Sequence, residues 1–408
     1  YGDHRDLHVR SRRQRQMCIR DRIIISDGGP TGRNSASSSA QHISVVYTPT
    51  AMRLRNIPVF TNTAPRGAQR GPGQNEMSAA IAPIMDKAAR QLGMDRAQFR
   101  RVNAPHSDSP VYESQGPITS AFMAEAIDKA SDMFNWAERE AAPRQRNGSK
   151  VRGLGIGLGY HSAGGSGYDG LVRITPDGRI HLHSGVGNLG TYSYAGTARA
   201  AAEVLKCRWE SCEIVRGSTD QHLPHASTQG GSNTIFTHTR TNWVAAEDAV
   251  TKLKQIAATE FGGNIDQYEI SNERVFKATD PEKGFSYAEA AARAIEVGGE
   301  FSGQVYPDDI HPITQRAVQG IAGTGLIGVA KDNLPKRGIA PGLMISMAEV
   351  EIDLETGKHE VIDYIGIADC GTIIHPQGLS QQINGGAVWG FGMAASERHV
   401  YDPQNGLP

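Results

Sequence analysis

Apolar residues recur along this chain at two spacings that alternate without a fixed repeat. Met77, Ala80, Ile81, Ile84, Met85, Ala88 and Leu92 share one face at helical spacing. Pro83 sits within that stretch and predicts a kink. Gly93 is placed to cap the helix, and Asp95 to open a short second helix ending near Arg100-Arg101-Val102-Asn103. Ala121–Phe134 and the stretch through Ala195–Leu205 read as further helices. Ala246, Val250, Leu253, Ala257 and Phe261 make the stripe of another, and Ser380–Ser396 forms a helix of small residues. The β-branched run Ile43–Tyr47 reads as a strand, as does Cys212–Arg216. Gly153–Tyr160 alternates small and apolar residues and reads as a strand whose glycines admit a close backbone neighbour. Leu171–Ile174 and Ile180–His183 flank Pro176-Asp177-Gly178, a hairpin signal. Ser346–Asp353 and His359–Ile367 flank Glu355-Thr356-Gly357 in the same way. Helices and hairpins mixed without a regular βαβ repeat predict an α+β fold.

Between these elements lie Gly-rich segments that are too polar and too broken for regular structure. They are 61–74, 185–192 and 227–234, each followed by a helix. Glycine makes up 47 of the 408 residues, well above its usual share of about 7%. Such loops present backbone N–H groups, and a helix N-terminus adds partial positive charge. Three of them, with Gln382 ahead of Gly385-Gly386, predict a large phosphate-bearing anion gripped from several sides.

Composition narrows the choices. Lys and Arg total 42 against 43 Asp and Glu, so the overall field steers neither nucleic acid nor an anionic membrane. Cys18, Cys207, Cys212 and Cys370 include no CxxC pair. That argues against a structural zinc site or an iron–sulfur cluster on this chain, and against a disulfide framework. A reducing, cytoplasmic setting follows, with no apolar run of transmembrane length. Tyr1–Arg22 carries seven Arg and three Asp with no apolar period, and its QMCIRDR looks like a translated sequencing-linker remnant. It is set aside as a non-native tail. Ala141–Lys150 is polar and marks a domain boundary, giving segments 23–150 and 151–408.

Familiar site patterns fail when examined. Gly155-Ile156-Gly157-Leu158-Gly159 is followed by Tyr160, which breaks a dinucleotide fingerprint. No Walker lysine and no G-x-S-x-G elbow occurs. His181 and His183 share one face of a strand, and His222 and His225 share a turn; without an acidic partner set, satisfied polar surface is the better reading. Glu349, Glu351 and Asp353 alternate on a strand as a solvated sheet face.

The loops, taken in order, resemble the molybdenum-binding subunit of the xanthine dehydrogenase/aldehyde oxidase family. Ala64-Pro65-Arg66-Gly67-Ala68-Gln69-Arg70-Gly71-Pro72-Gly73 matches that family's first loop. Leu92-Gly93-Met94-Asp95 and Arg100-Arg101-Val102-Asn103 match the helix end that follows. Gly185–Tyr192, Ala202-Glu203-Val204-Leu205, Gly231-Ser232, Glu349–Asp353, Asp369-Cys370-Gly371 and Gln382-Ile383-Asn384-Gly385-Gly386 continue the series. The resemblance runs from about Ile43 to Pro408.

The resemblance implies two mixed α/β molybdenum-cofactor-binding domains, both incomplete. Residues 23–150 would be the C-terminal part of the first, and 151–408 the second, truncated at its end. A molybdenum–molybdopterin cofactor, in a dinucleotide form, would be bound by Gly67, Ala68, Gln69, Arg70, Gly71, Gly187, Asn188, Gly190, Thr191, Gly231, Ser232 and Gln382. No protein residue would ligate the metal. Arg70 would stabilise charge during catalysis, while the general-base Glu of the family is expected beyond Pro408. The implied reaction hydroxylates an aldehyde or N-heteroaromatic carbon with oxygen from water. Electrons would leave through Fe–S and FAD partner subunits of an oligomeric holoenzyme. Thr191 and Asn188 stand where the family often has Gln and Glu, and Gln69 and Pro72 replace aromatic residues. Pro72 offers little π surface for a flat substrate, which argues against a purine. These departures leave a second reading open, a non-catalytic module that binds a phosphate-bearing or pterin ligand.

Overall fold

The computed structural model describes residues 36–53, 55, 69–111, 116–142, 146–398 and 400–407. Tyr1–Arg22, Gly67 and Ala68 lie outside the described residues. The described elements bear out the α+β expectation. By contacts the chain parts into two units, one of residues 1–162, 337–372 and 381–408 and the other of residues 163–336 and 373–380.

The first unit packs helices against one antiparallel sheet. Its helices are α1 (Ala36–Val46), α2 (Gln74–Gln91), α3 (Arg96–Val102), α4 (Met123–Phe134) and α5 (Trp136–Ala141). Strands β1 (Arg146–Asn147) and β2 (Lys150–Ser162) pair with the later β10 (Pro341–Asp353) and β11 (His359–Asp369) in the order β1-β2-β10-β11. Alternation in β2 and β10 turns Ile156, Leu158, Tyr160, Leu343, Ile345 and Met347 inward, where Met77, Ile81, Met85, Phe99 and Ile127 meet them.

Local chemistry sets the helix ends. Gly93 has φ +63, and the Met94 and Gly93 amides return to the carbonyls of Ala89 and Arg90 in a Schellman turn. The Asp95 carboxylate accepts from the Gln98 amide at 2.8 Å and opens α3.

Two expectations change here. Ile43–Tyr47 is the end of α1 rather than a strand: Val45, Val46 and Tyr47 are buried in the first core, and this packing overrides β-branched propensity. The α2 helix runs on through Pro83, which lies with Ala79 on the exposed side. Water can there satisfy the Ala79 carbonyl that loses its donor. The β2 glycines do not admit a close backbone neighbour, since a Cβ at Gly153, Gly155 or Gly157 would meet nothing within 4 Å.

The second unit is built on a sheet of order β5-β4-β3-β9: Cys212–Val215, Ile180–His183, Asp169–Ile174 and Leu326–Lys331. The β3–β4 pair is the expected hairpin, whereas β4 and β5 run parallel through the crossover helix α6 (Tyr194–Leu205). Helix α7 (Asn233–Phe261) lies directly on this sheet. A Cβ at Gly170 would stand 1.9 Å from the Thr241 carbonyl oxygen, and one at Gly328 would stand 2.4 Å from that of Ala245. Only glycine allows that approach. Val172, Ile174, Ile180 and Leu182 pack on the α6–α7 side.

The meander β6 (Tyr268–Ser271), β7 (Arg274–Lys277) and β8 (Asp280–Ser286) follows, with α8 (Tyr287–Val297) after it. Helix α9 (Pro312–Ile321) covers Leu171, Ile327 and Val329 on the opposite face of the main sheet. Helix α10 (Pro376–Ala395) ends the regular structure. Among the described residues no helix is long and apolar enough to cross a membrane.

Candidate functional site

In the first unit the site residues stand at the start of α2. Gly71 has φ +74, and a Cβ there would meet the Asn75 side chain at 2.8 Å, so the turn requires glycine. The Asn75 amide nitrogen donates to the Arg70 carbonyl at 2.6 Å, and the Gly73 N–H donates to the Glu76 carboxylate at 2.8 Å. These bonds fix the exit of the loop onto the helix. Arg70 itself is exposed, and its Nη2 donates to the Gln382 carbonyl oxygen at 3.0 Å. Its guanidinium lies over Gly386, whose Cβ position is 3.7 Å from Nη2. Two motifs 312 residues apart thus meet through one side chain. The bond uses the backbone of Gln382.

The second unit carries the other two loops. Asn188 Oδ1 accepts from the amides of Gly190 at 2.9 Å and Tyr192 at 3.3 Å. Those two N–H groups are therefore committed inside the loop, which leaves fewer free than its glycine content predicts. Thr191 Oγ1 pairs with Ser193 Oγ at 2.9 Å, and Gly190, with φ +86, faces open space. A Cβ at Gly187 would lie 3.0 Å from Gln229 Oε1, so the 185–192 and 227–234 loops touch there. Gly231 and Ser232 both adopt left-handed backbone, and Ser232 is the N-cap residue of α7. Asn233 clamps this turn, donating to the carbonyls of Thr228 and Gly230 and accepting from the Gly165 amide at 2.7 Å.

Gln229, Asn233 and the Gly164–Gly165 segment were not singled out from the sequence. The density of hydroxyl and amide side chains in Ser227–Thr234, just ahead of a long helix, was the signal that could have found them.

Charged groups elsewhere sort clearly. Glu349 and Glu351 are not simply solvated. Arg139 reaches Glu349 at 2.9 Å and Lys150 reaches Glu351 at 2.9 Å, with Arg152 within 3.4 Å of both. Among the described residues no group of three or more His, Cys, Asp and Glu is poised to hold a metal ion. His225 stacks on His311, with ring centroids 3.9 Å apart. His181 and His183 are not satisfied surface either. They line a cavity, and His183 is buried with Nε2 unpartnered.

Taken unit by unit, the donors are of the kind a phosphate-bearing pterin needs: a guanidinium in the first, and amides and hydroxyls in the second. Within the 227–234 loop, the buried Ser227 hydroxyl has no hydrogen-bond partner, an orphan that a bound group would satisfy.

Fold and loops together define a cofactor-binding α+β protein. The molybdopterin cofactor-binding domain model matches residues 17–104, and a second model of the same description matches residues 129–408. The chain belongs to this family, the molybdopterin-binding part of xanthine dehydrogenase and aldehyde oxidoreductase subunits. It is 26% identical over 363 residues to the 6-hydroxypseudooxynicotine dehydrogenase complex subunit gamma of Paenarthrobacter nicotinovorans, covering 86% of this chain and 42% of that protein. It is 24% identical over 362 residues to the probable hypoxanthine oxidase XdhD of Escherichia coli, covering 85% of this chain and 34% of that one. The chain therefore spans less than half the length of these relatives. Its fold matches quinoline 2-oxidoreductase from Pseudomonas putida with a TM-score of 0.70 at 24% identity, over 93% of this chain and 48% of that structure.

Proposed function

We propose that this chain is part of a molybdenum hydroxylase large subunit, an oxidoreductase that inserts water-derived oxygen at an aldehyde or N-heteroaromatic carbon. Residues 23–150 and 151–408 are read as parts of its first and second cofactor-binding domains, preceded by a non-native tail. The observation that carries this reading is the Arg70–Gln382 bond, which joins the family's first loop to its small-residue helix. The cofactor, when bound, supplies the redox centre and the activated oxygen.

The protein's part is binding and electrostatics. Arg70, steadied by the Gln382 carbonyl and the bare backbone at Gly386, presents positive charge to an anion developing beside it. By the family resemblance, Gly67, Ala68, Gln69 and Gly71 share in binding the cofactor. Gly187, Asn188, Gly190 and Thr191 form a wall with room at Gly190, and Gly231 with Ser232 sets the N-terminus of α7 toward phosphate charge. A dinucleotide form of the pterin suits so many separate donors. Electrons pass to Fe–S and FAD subunits of an oligomeric, cytoplasmic enzyme.

The test is turnover by the protein's full open reading frame, co-expressed with its partner subunits, on aldehydes and N-heteroaromatics in 18O-labelled water. Label in the hydroxylated product is expected, and the 408-residue chain alone is expected to show none. Bound cofactor with no turnover of either class would favour the non-catalytic binding module instead.

A further inference from the structure

A cavity of about 390 Å³ opens on the α9 side of the second unit's sheet, at the β4–β5 edge. Its polar lining is Arg173 from β3, His181 and His183 from β4, Glu213 and Arg216 from β5 and its end, and His222. Three of these groups, Arg173, His181 and His183, each keep a buried polar atom unspent. Arg173 donates from Nη1 to Thr324 Oγ1 at 3.3 Å, yet its Nε is buried without a partner. His183 is 3% exposed, and its Nε2 likewise has no partner. Native interiors rarely leave such atoms unmatched, so three around one cavity leave hydrogen-bonding capacity there for a bound group.

The hydrogen-bond chemistry says which kind. His183 Nδ1 lies 3.1 Å from the Gln221 carbonyl oxygen, which can only accept, so Nδ1 carries the proton. Burial, and next the charge of Arg173, push the His183 imidazole down to about 4, so at neutral pH its Nε2 is a bare lone pair. The cavity therefore offers a cationic donor at Arg173 and a neutral acceptor at His183. A fully ionised oxyanion satisfies the first and repels the second.

We propose that this cavity binds a phosphate group that still carries a proton, its P–O⁻ accepting from Arg173 and its P–OH donating to His183 Nε2. Arg216, held over the Tyr194 ring at 3.6 Å, adds positive charge at the rim, and Glu213 stands 3.5 Å from His181 Nδ1, which makes no hydrogen bond among the described residues. Sulfate has the same shape and charge but no proton to give near neutral pH, so the site discriminates against it. The proposal is independent of the molybdopterin reading.

Calorimetric titration of the purified 408-residue chain, in buffer free of both anions, tests it. Inorganic phosphate, methyl phosphate and sulfate are titrated separately at about pH 6, where a phosphate monoester keeps its proton on about half of its molecules. Saturable binding of inorganic or methyl phosphate at least about tenfold tighter than sulfate is expected. The tighter of the two phosphates tells whether the natural ligand is free phosphate or the end of a larger molecule. Sulfate binding as tightly as either, or no saturable binding of phosphate, overturns the proposal. Arg173→Gln is expected to weaken phosphate binding about tenfold or more with its melting transition intact; unchanged affinity refutes the assignment. The imidazole 15N signal of wild-type His183 gives a readout without mutation: phosphate must shift Nε2, and an unmoved Nε2 contradicts the site.

Discussion

Asp86 is the most informative residue to remove. Its carboxylate on α2 stands 2.8 Å from Arg96 Nη1 and 2.8 Å from Arg100 Nη1. The Arg96 and Arg100 side chains are 3% and 0% exposed. Arg96 keeps a second anion, Glu140, at 2.9 and 2.5 Å. Among the described residues Arg100 has, besides Asp86, the carbonyls of Ala82 at 3.0 Å and Arg96 at 3.2 Å and the Tyr47 hydroxyl nearby. Asp86→Ala therefore leaves a buried guanidinium without a counter-charge. Breaking a buried pair from one side costs about 3–5 kcal/mol. The carbonyls and Glu140 place this case near the lower end. For a unit of this size, about 3 kcal/mol lowers the melting temperature by roughly 6–12 °C. Urea unfolding followed by tryptophan fluorescence in a variant keeping only Trp136 of the four tryptophans reads it locally, because Trp136 is buried beside Arg96, whose guanidinium lies 4.9 Å from the ring. Asp128→Ala is the control, since Arg101–Asp128 is an exposed pair at 2.6 Å and its loss should barely move the midpoint. Equal losses in the two variants would refute the claim that the Arg100-Arg101 motif divides into a core anchor and a surface residue.

Three further outcomes are expected. Gly170→Ala should cost at least about 3 kcal/mol, because its Cβ meets the Thr241 backbone carbonyl on α7 and neither can yield; a near-native denaturation midpoint would contradict this. His42, His183 and His238 are each pushed by burial to about 4, below the ordinary 6.5, so the unfolded chain binds more protons between those values. Stability should then be full above about pH 6.5 and fall as pH drops toward 4, by at most about 3 kcal/mol per histidine; a flat profile in urea titrations across that window would exclude it. In the assembled enzyme, Arg70→Gln should lower kcat per bound molybdenum about 10²–10³-fold with KM little changed, as loss of a transition-state donor does; steady-state kinetics showing a change in KM alone would assign Arg70 to substrate binding.

Much of the fold was legible where period and punctuation agree. The α2 stripe, the Gly93–Asp95 junction and both long hairpins follow from spacing and caps, since these are local effects. Ile43–Tyr47 was not, because burial of Val45 and Val46 against the first core decides its state, and that partner is distant in sequence. The stretch from β6 to α9 went unread for a different reason. Its meander strands include two of only four residues, too short for period to register. Its helix signals were present nonetheless. Ser286 and Glu289 form a capping box at α8, and Pro312 opens α9 behind His311, whose Nδ1 accepts from the Ile313 amide at 3.1 Å. For the candidate site, glycine content singled out loops whose free amides it overstated, because Asn188 takes two of them. The Arg173–His183 cavity could not be seen at all, since it depends on which face of β4 the helix α9 leaves open.

The central claim is that these loops hold molybdopterin. The most direct measurement is metal analysis together with fluorescence of the oxidised pterin, made on the full-length protein purified from cells replete in molybdenum. Near-equimolar molybdenum and pterin are predicted, both falling sharply in Arg70→Gln and Ser232→Ala variants that remain folded. A folded wild-type protein free of both, under conditions that load a related molybdenum enzyme in the same cells, would contradict the account.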